Sequence, residues 1–156
     1  MDRLDIDVRQ LKRNEWDNGM QIAWDTFMVF EAPEYEPEGV KNFHAFVKGK
    51  ELKQLFILGE YDAYGAFIDG IMVGVLGVRK RNHVSLLFVD SEYHRMGVAS
   101  ALLRLTFKEA KARGIEEMTV NSSPYAVGFY HKIGFHDTDT EQKMDGIRYT
   151  PMKIRL

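Results

Sequence analysis

Cysteine is absent from the 156 residues. That excludes disulfides, thiolate metal sites and a cysteine nucleophile, and with it an acyl-cysteine route for group transfer. A strong charge of either sign is missing too. Lysine plus arginine number 21 against 23 acidic residues, a net charge of −2. No bulk electrostatic drive toward nucleic acid exists, and no extended basic face is present, so no nucleic-acid partner is expected. Long apolar runs are lacking. The longest, near Ile71 to Val78, is far too short to span a bilayer, so no membrane association is expected. The charged start Met1-Asp2-Arg3-Leu4-Asp5-Ile6-Asp7 does not read as a signal peptide, and a cytoplasmic location is the default expectation. Five histidines show no ligand spacing with supporting carboxylates, so no metal is expected.

What remains is the balance of one globular domain, 45% hydrophobic and 28% charged, and a single domain over 1–156 is expected. Its organising stretch is Val84–Gly114. Val84–Val89 is an apolar run with the length of a buried strand, and Asp90–Met96 is a polar elbow. Gly97 then opens a helix with apolar residues at Val98, Ala101, Leu102, Leu105 and Ala112. Arg113 and Gly114 close it. A helix start exposes unpaired N–H groups with partial positive charge. A glycine there lets a ligand approach the main chain, and His94 and Arg95 add positive character. The stretch reads either as a phosphate cradle or as an ordinary loop before a helix.

The segment Tyr93-His94-Arg95-Met96-Gly97-Val98-Ala99-Ser100-Ala101-Leu102-Leu103 resembles the acetyl-CoA-binding motif of the GCN5-related N-acetyltransferase (GNAT) family. That pattern is Gln or Arg, two residues, Gly, one residue, then Gly or Ala. Gly97 and Ala99 match it, and His94 stands where the family usually has Gln or Arg. Ala126-Val127-Gly128-Phe129-Tyr130-His131-Lys132-Ile133-Gly134-Phe135 looks like the family's second landmark, A-x-x-x-Y-x-K-x-G-F. Ser123 departs from it, standing where an Asn is frequent.

The remaining segments read in order. Leu4, Ile6 and Val8 alternate with charged residues, a half-buried strand. Trp16, Met20, Ala23, Trp24, Phe27 and Phe30 form a stripe on a helix over about 14–30, read first as core, with one or two of its aromatics lining an acceptor pocket as the lesser reading. Glu31–Gly39, with two prolines and four glutamates, reads as a solvated loop or as an acidic lip for a cationic substrate. Residues 38–56 read as helical again, with Gly49 as a break. Tyr64–Ile68 and Ile71–Val78 are strands around the hairpin signal Asp69-Gly70. Arg79-Lys80-Arg81-Asn82 reads as a solvated turn. Glu117–Asn121 is a strand parallel to Val84–Val89 through a right-handed crossover. Ser123 is expected to cap a helix begun by Pro124. Phe135–Thr140 and Arg148–Ile154 read as a closing hairpin around Asp145-Gly146, whose edge is a place for a homodimer contact.

The resemblance implies an α/β (mixed α+β) GNAT fold. Its sheet would be mixed but mostly antiparallel, with one splayed pair of parallel strands and flanking helices. It implies an N-acetyltransferase that moves an acetyl group directly from acetyl-CoA to a primary amine of a small molecule or peptide. The pantetheine arm would pair with backbone around Phe88 and Val89. The pyrophosphate would rest on N–H groups of His94, Arg95, Met96, Gly97, Val98, Ala99 and Ser100. Asn121 would meet the pantetheine arm or the acceptor, or serve only as a strand-end turn residue. Tyr130 aligns with the tyrosine that protonates the departing thiolate in many members, and its competing reading is a core aromatic with a satisfied hydroxyl. No general base carries over. Where some relatives have a glutamate, Val84–Val89 has only Ser85 as a polar side chain. A water chain or a glutamate from Glu31–Glu38 is left for that role. The alternatives to an enzyme are a catalytically silent acyl-CoA sensor or a protein-interaction module.

Overall fold

The computed structural model describes residues 5–156. Leu4, with the other three residues before Asp5, lies outside them. The sheet has eight strands in the order β1-β2-β3-β4-β5-β8-β6, with β7 paired to β8. These are β1 (Asp7–Gln10), β2 (Tyr61–Ile68), β3 (Ile71–Arg79), β4 (His83–Val89), β5 (Glu117–Ser122), β6 (His136–Asp137), β7 (Gln142–Met144) and β8 (Ile147–Arg155). Helices α1 (Trp16–Phe30), α2 (Pro37–Lys48) and α3 (Lys50–Ile57) cover one face, and α4 (Val98–Ala112) and α5 (Val127–Ile133) cover the other.

The two layers follow from the apolar pattern. On one face Trp16, Met20 and Ala23 of α1 pack on Tyr61, Val75 and Leu86 of the sheet. On the other, Leu102 and Leu103 of α4 pack with Leu76, Met118, Val120 and Met152. β3 is covered on both sides, so Met72–Val78 is buried without alternation, as the unbroken apolar run requires. The hairpin signals hold. Asp69 and Gly70 both have positive φ, 51° and 79°, as do Asp145 and Gly146, 53° and 79°. This is the two-residue turn whose twist suits a hairpin.

Several boundaries differ from the sequence reading. β2 begins three residues early, at Tyr61, because Tyr61 and Ala63 bury on the helix face. Residues 31–39 are not one open loop. Ala32–Glu34 forms a 3-10 turn, and Pro37 starts α2, the first-turn position where its missing N–H costs nothing. Ser123 precedes Pro124, but its side chain makes no cap bond and the turn it begins is 3-10. The expected strand Phe135–Thr140 shrinks to β6, and the closing hairpin is instead β7–β8, with Gln142 opposite Tyr149.

Candidate active site

The parallel pair β4–β5 holds together over only two partnerships, His83 with Thr119 and Val84 with Val120. Beyond Val84 the strands part. The register of β4 against β3 also slips at this place, Gly77 facing Leu86 but Val78 facing Val84, which leaves Ser85 as the extra residue of a bulge. A bulge bends its strand and increases the local twist. The Tyr61 hydroxyl fixes the bulge by a 2.7 Å hydrogen bond with Ser85 Oγ.

The parting leaves main chain without a strand partner. The Asp90 N–H donates to the Val73 carbonyl at 2.8 Å, so Asp90, Phe88 and Leu86 direct their main chain at β3, and Leu87 and Val89 direct theirs into the gap. On β5 the Thr119 N–H donates to the Asn82 carbonyl at 2.9 Å. By the same alternation Asn121 faces the gap from the other side. The open backbone around Phe88 and Val89 is therefore that of Leu87 and Val89, while Phe88 contributes its ring.

Past β4 the elbow contains a 3-10 turn, Ser91–Tyr93, anchored by Asp90, whose carboxylate accepts the Glu92 N–H at 3.0 Å. Arg95 and Gly97 have φ of 63° and 82°. A Cβ at Gly97 would meet nothing within 4 Å, so glycine is here for its left-handed conformation, and the space in front of it is open. The first intrahelical bond of α4 is from the Ala101 N–H to the Gly97 carbonyl at 3.0 Å, which leaves the N–H groups of Val98, Ala99 and Ser100 without helix partners. The Val98 side chain is buried and packs where a Cβ on Gly74 would come within 3.0 Å of it, docking the helix start on β3.

His94 does something other than expected. Its Nε2–H donates to the Val89 carbonyl at 2.6 Å, and its ring lies 4.8 Å from that of Phe30. The ring ties the elbow to the end of β4, so Nε2 is not free for a phosphate. The His94 N–H is also engaged, with the Ser91 carbonyl at 3.4 Å. The open cradle is thus Arg95 to Ser100.

Two cavities meet at the gap. The larger, about 580 Å³, is walled by Phe88, Val89, His94, Arg95, Gly97, Val98, Ala99, Ser100 and Tyr130, with Phe30 and Glu31, which sequence reasoning offered only as members of the aromatic stripe and the glutamate segment, and with Tyr125 and Phe129, which it did not place in a site. Met96 is outside its wall and 44% exposed. The smaller, about 280 Å³, lies between the sheet and α1–α2. Phe27, Tyr35, Phe43, Phe46 and Phe88 make it aromatic, and Glu31, Arg79, His83 and Asn121 add polarity. Six residues belong to both cavities: Glu31, Leu87, Phe88, Ser123, Ala126 and Tyr130.

Tyr130 is 5% exposed. Its ring is held edge-on by Phe129 and Phe135, each 5.3 Å away, and its hydroxyl has no hydrogen-bond partner among the described residues. It is thus a core ring whose hydroxyl is left for whatever enters the cavities. Burial, with the charge of Glu31, pushes the phenol up, so it stays protonated and able to donate. Glu31 caps the C-terminus of α1 and is half-buried, and desolvation raises its carboxyl above the usual range against the smaller opposing effect of Ser123. In sequence Glu31 is one of four glutamates in Glu31–Glu38 from which a base could come, and nothing in the spacing singles it out. His83, bonded through Nδ1 to Thr119 Oγ1 at 2.8 Å, is pushed down to about 4 by burial and by Arg79 and is neutral at pH 7.

The other glutamates of 31–38 do not form a free acidic lip. Glu34 pairs with Arg148 at 3.3 Å and Glu36 pairs with Lys143. The Asn42 amide donates to the Asp145 carbonyl at 3.3 Å. The segment is clamped to the β7–β8 hairpin and closes the rim of the smaller cavity. Among the described residues no group of three metal-ligating side chains occurs, and no helix is long and apolar enough to cross a membrane.

The Acetyltransferase (GNAT) domain family matches residues 31–156. Among curated proteins, the uncharacterized N-acetyltransferase YafP of Escherichia coli K12 is 35% identical over 88 residues, which are 56% of this chain and 54% of that protein. Human N-acetyltransferase 8 is 36% identical over 76 residues, 43% of this chain and 34% of that protein. The chain thus matches about half the length of the first relative and a third of the second. Among solved structures, a GCN5-related N-acetyltransferase from Rhodopseudomonas palustris superposes with a TM-score of 0.85 at 21% identity, covering 100% of this chain and 99% of that one. The PaiA N-acetyltransferase from Thermoplasma acidophilum, solved with coenzyme A, superposes with a TM-score of 0.79 at 21% identity, covering 98% and 100%. These likenesses establish the mixed sheet with one parallel pair as the GNAT fold.

Proposed function

The chain belongs to the GNAT acetyltransferase family, and from that premise we propose that it transfers an acetyl group from acetyl-CoA directly to a primary amine. The observation that carries this reading is the common wall of the two cavities, where an unpartnered tyrosine hydroxyl and a half-buried carboxyl stand together.

The larger cavity has the chemistry to hold the donor. N–H groups from Gly97 to Ser100, with the Arg95 charge beside them, suit a pyrophosphate. Backbone of Leu87 and Asn121 and the N–H of Val89, whose carbonyl is taken by His94, suit the amides of a pantetheine arm, which would enter as an added strand. The amine comes through the smaller cavity. Glu31 takes the proton that the ammonium must lose, the nitrogen bonds to the acetyl carbon as the carbon–sulfur bond breaks, Tyr130 gives its proton to the sulfur, and the second proton, shed by the nitrogen as the amide forms, restores the phenol. Each residue suits its step. A carboxyl raised by desolvation is a better base near neutral pH, and a phenol that stays protonated can serve as an acid.

Replacement Tyr130→Phe tests the assignment. CoA release with an accepted amine should fall by about 10²- to 10⁴-fold, the usual worth of a positioned acid, while acetyl-CoA still raises the melting midpoint. Unchanged turnover would remove Tyr130 from the mechanism. Acetyl-CoA binding without transfer to any amine would make the chain a sensor.

A further inference from the structure

The turn Arg79-Lys80-Arg81-Asn82 reads in sequence as one solvated basic cluster, but the structure separates its members. Arg81 turns back to Asp62 at 2.8 Å and to the Gly59 carbonyl at 2.9 Å. Arg79, though exposed, borders the smaller cavity, and among the described residues it has no carboxylate within ion-pair distance. It stands opposite His83 in the ladder, and its charge helps keep that imidazole neutral. The smaller cavity therefore holds one guanidinium and one carboxyl, Glu31, set in aromatic walls.

The two charges sit toward opposite ends. Glu31 and Phe88 belong to the wall shared with the larger cavity, whereas Arg79 and His83 line the smaller one alone.

We propose that Arg79 reads a carboxylate on the acceptor. The acceptor is then a zwitterion with its primary amine and its carboxylate at opposite ends of an apolar or aromatic body, the class of ω-amino acids and short peptides with a free C-terminus. The amine goes to Glu31 at the shared wall, the body lies against Phe43 and Phe88, whose rings are 5.5 Å apart, and the carboxylate meets the guanidinium fork. A planar fork with five donors is matched to a carboxylate in a way a lysine is not. A single guanidinium suits one negative charge rather than the two of a phosphate monoester. The proposal rests on the acetyl-transfer reading for the position of the amine, but the anion contact can be measured without turnover.

The experiment compares acceptors that differ only in the anion, 6-aminohexanoate against n-hexylamine and the dipeptide Phe-Leu against its C-terminal amide. CoA release is followed for the natural chain and for Arg79→Gln. The natural chain should prefer each acid by about tenfold or more in kcat/KM, the order expected for a charge-assisted hydrogen-bonded pair. Arg79→Gln should erase the preference by lowering only the acids and should leave the acetyl-CoA melting shift unchanged. Equal use of both members of each pair, a preference for the uncharged forms, or an equal loss on all four in Arg79→Gln would overturn it. If no amine is acetylated, the acetyl-transfer reading fails by itself. The anion reading is then decided by melting both proteins with 6-aminohexanoate and with Phe-Leu. A stabilisation seen in the natural chain and missing in Arg79→Gln supports it, and the same response in both overturns it.

Discussion

At the scale of single residues, Glu31 and Tyr130 show how position changes the chemistry of ordinary side chains. The carboxyl of Glu31 is raised above 4.5 by desolvation, and a general base works only when deprotonated. The rate should therefore rise with pH through a limb that lies above the usual glutamate value. Glu31→Gln should lower kcat/KM and remove that limb, as a pH–rate profile of both proteins would show. A limb that persists in the variant belongs to the amine itself and takes Glu31 out of the role. Tyr61 makes the contrast with Tyr130. Both are buried, but the Tyr61 hydroxyl is engaged with Ser85 and the Tyr130 hydroxyl is unpartnered among the described residues, which makes the second the one with a hydroxyl open to a ligand. No sequence pattern distinguishes them apart from the landmark around Tyr130.

At the scale of elements, the decisive arrangement is the clamp between the start of α2 and the β7–β8 turn. A Cβ on Gly39 would stand 2.4 Å from the Gly146 carbonyl, and the Glu36 N–H donates to the same carbonyl at 3.3 Å. Gly39→Ala should push the hairpin off the rim of the smaller cavity. The expected result is a raised KM for the amine, an acetyl-CoA melting shift like that of the natural chain, and a stability loss of about 1–3 kcal/mol, the usual cost of overpacking. Steady-state kinetics and melting measure all three, and an unchanged amine KM would show that the clamp does not shape the acceptor site. The ion pairs Lys143–Glu36 and Arg148–Glu34 at the same rim are exposed and add little stability. Two of the segment's four glutamates are thus matched by cations and a third, Glu31, faces the cavities, so the run does not make an acidic surface here.

At the scale of the whole molecule, the proposed donor site belongs to no single element. Residues of β4, the start of α4, the end of α1 and two rings from α5 converge on it. A ligand held by all of them stabilises the folded chain as a unit. At 100 times its dissociation constant acetyl-CoA should add about 2.7 kcal/mol, and since each kcal/mol moves the midpoint of a chain this size by about 2–4 °C, a rise of roughly 5–10 °C is expected. A thermal melt checks it, and no shift at millimolar acetyl-CoA would leave the fold in place of an enzyme as an interaction module.

What the chain determines locally was open to reading. The β3 run, the two Asp-Gly turns, the break at Gly49 and the strand, elbow and helix around Gly97 are set by apolar period, turn residues and positive φ, all properties of neighbours in sequence. So were Tyr130 and Gly97 as candidates, through motifs carried on one element each, while their roles are proposed. Contacts between distant segments were not. That His94 is spent on Val89, that Glu31 meets Tyr130 across about a hundred residues, and that exposed Arg79 also borders a cavity were decided only when α1, β4 and α5 closed on the parted strands. The physical reason is that burial and the partners of a polar group depend on what lies across the fold, and neither is written in the spacing of residues along the chain.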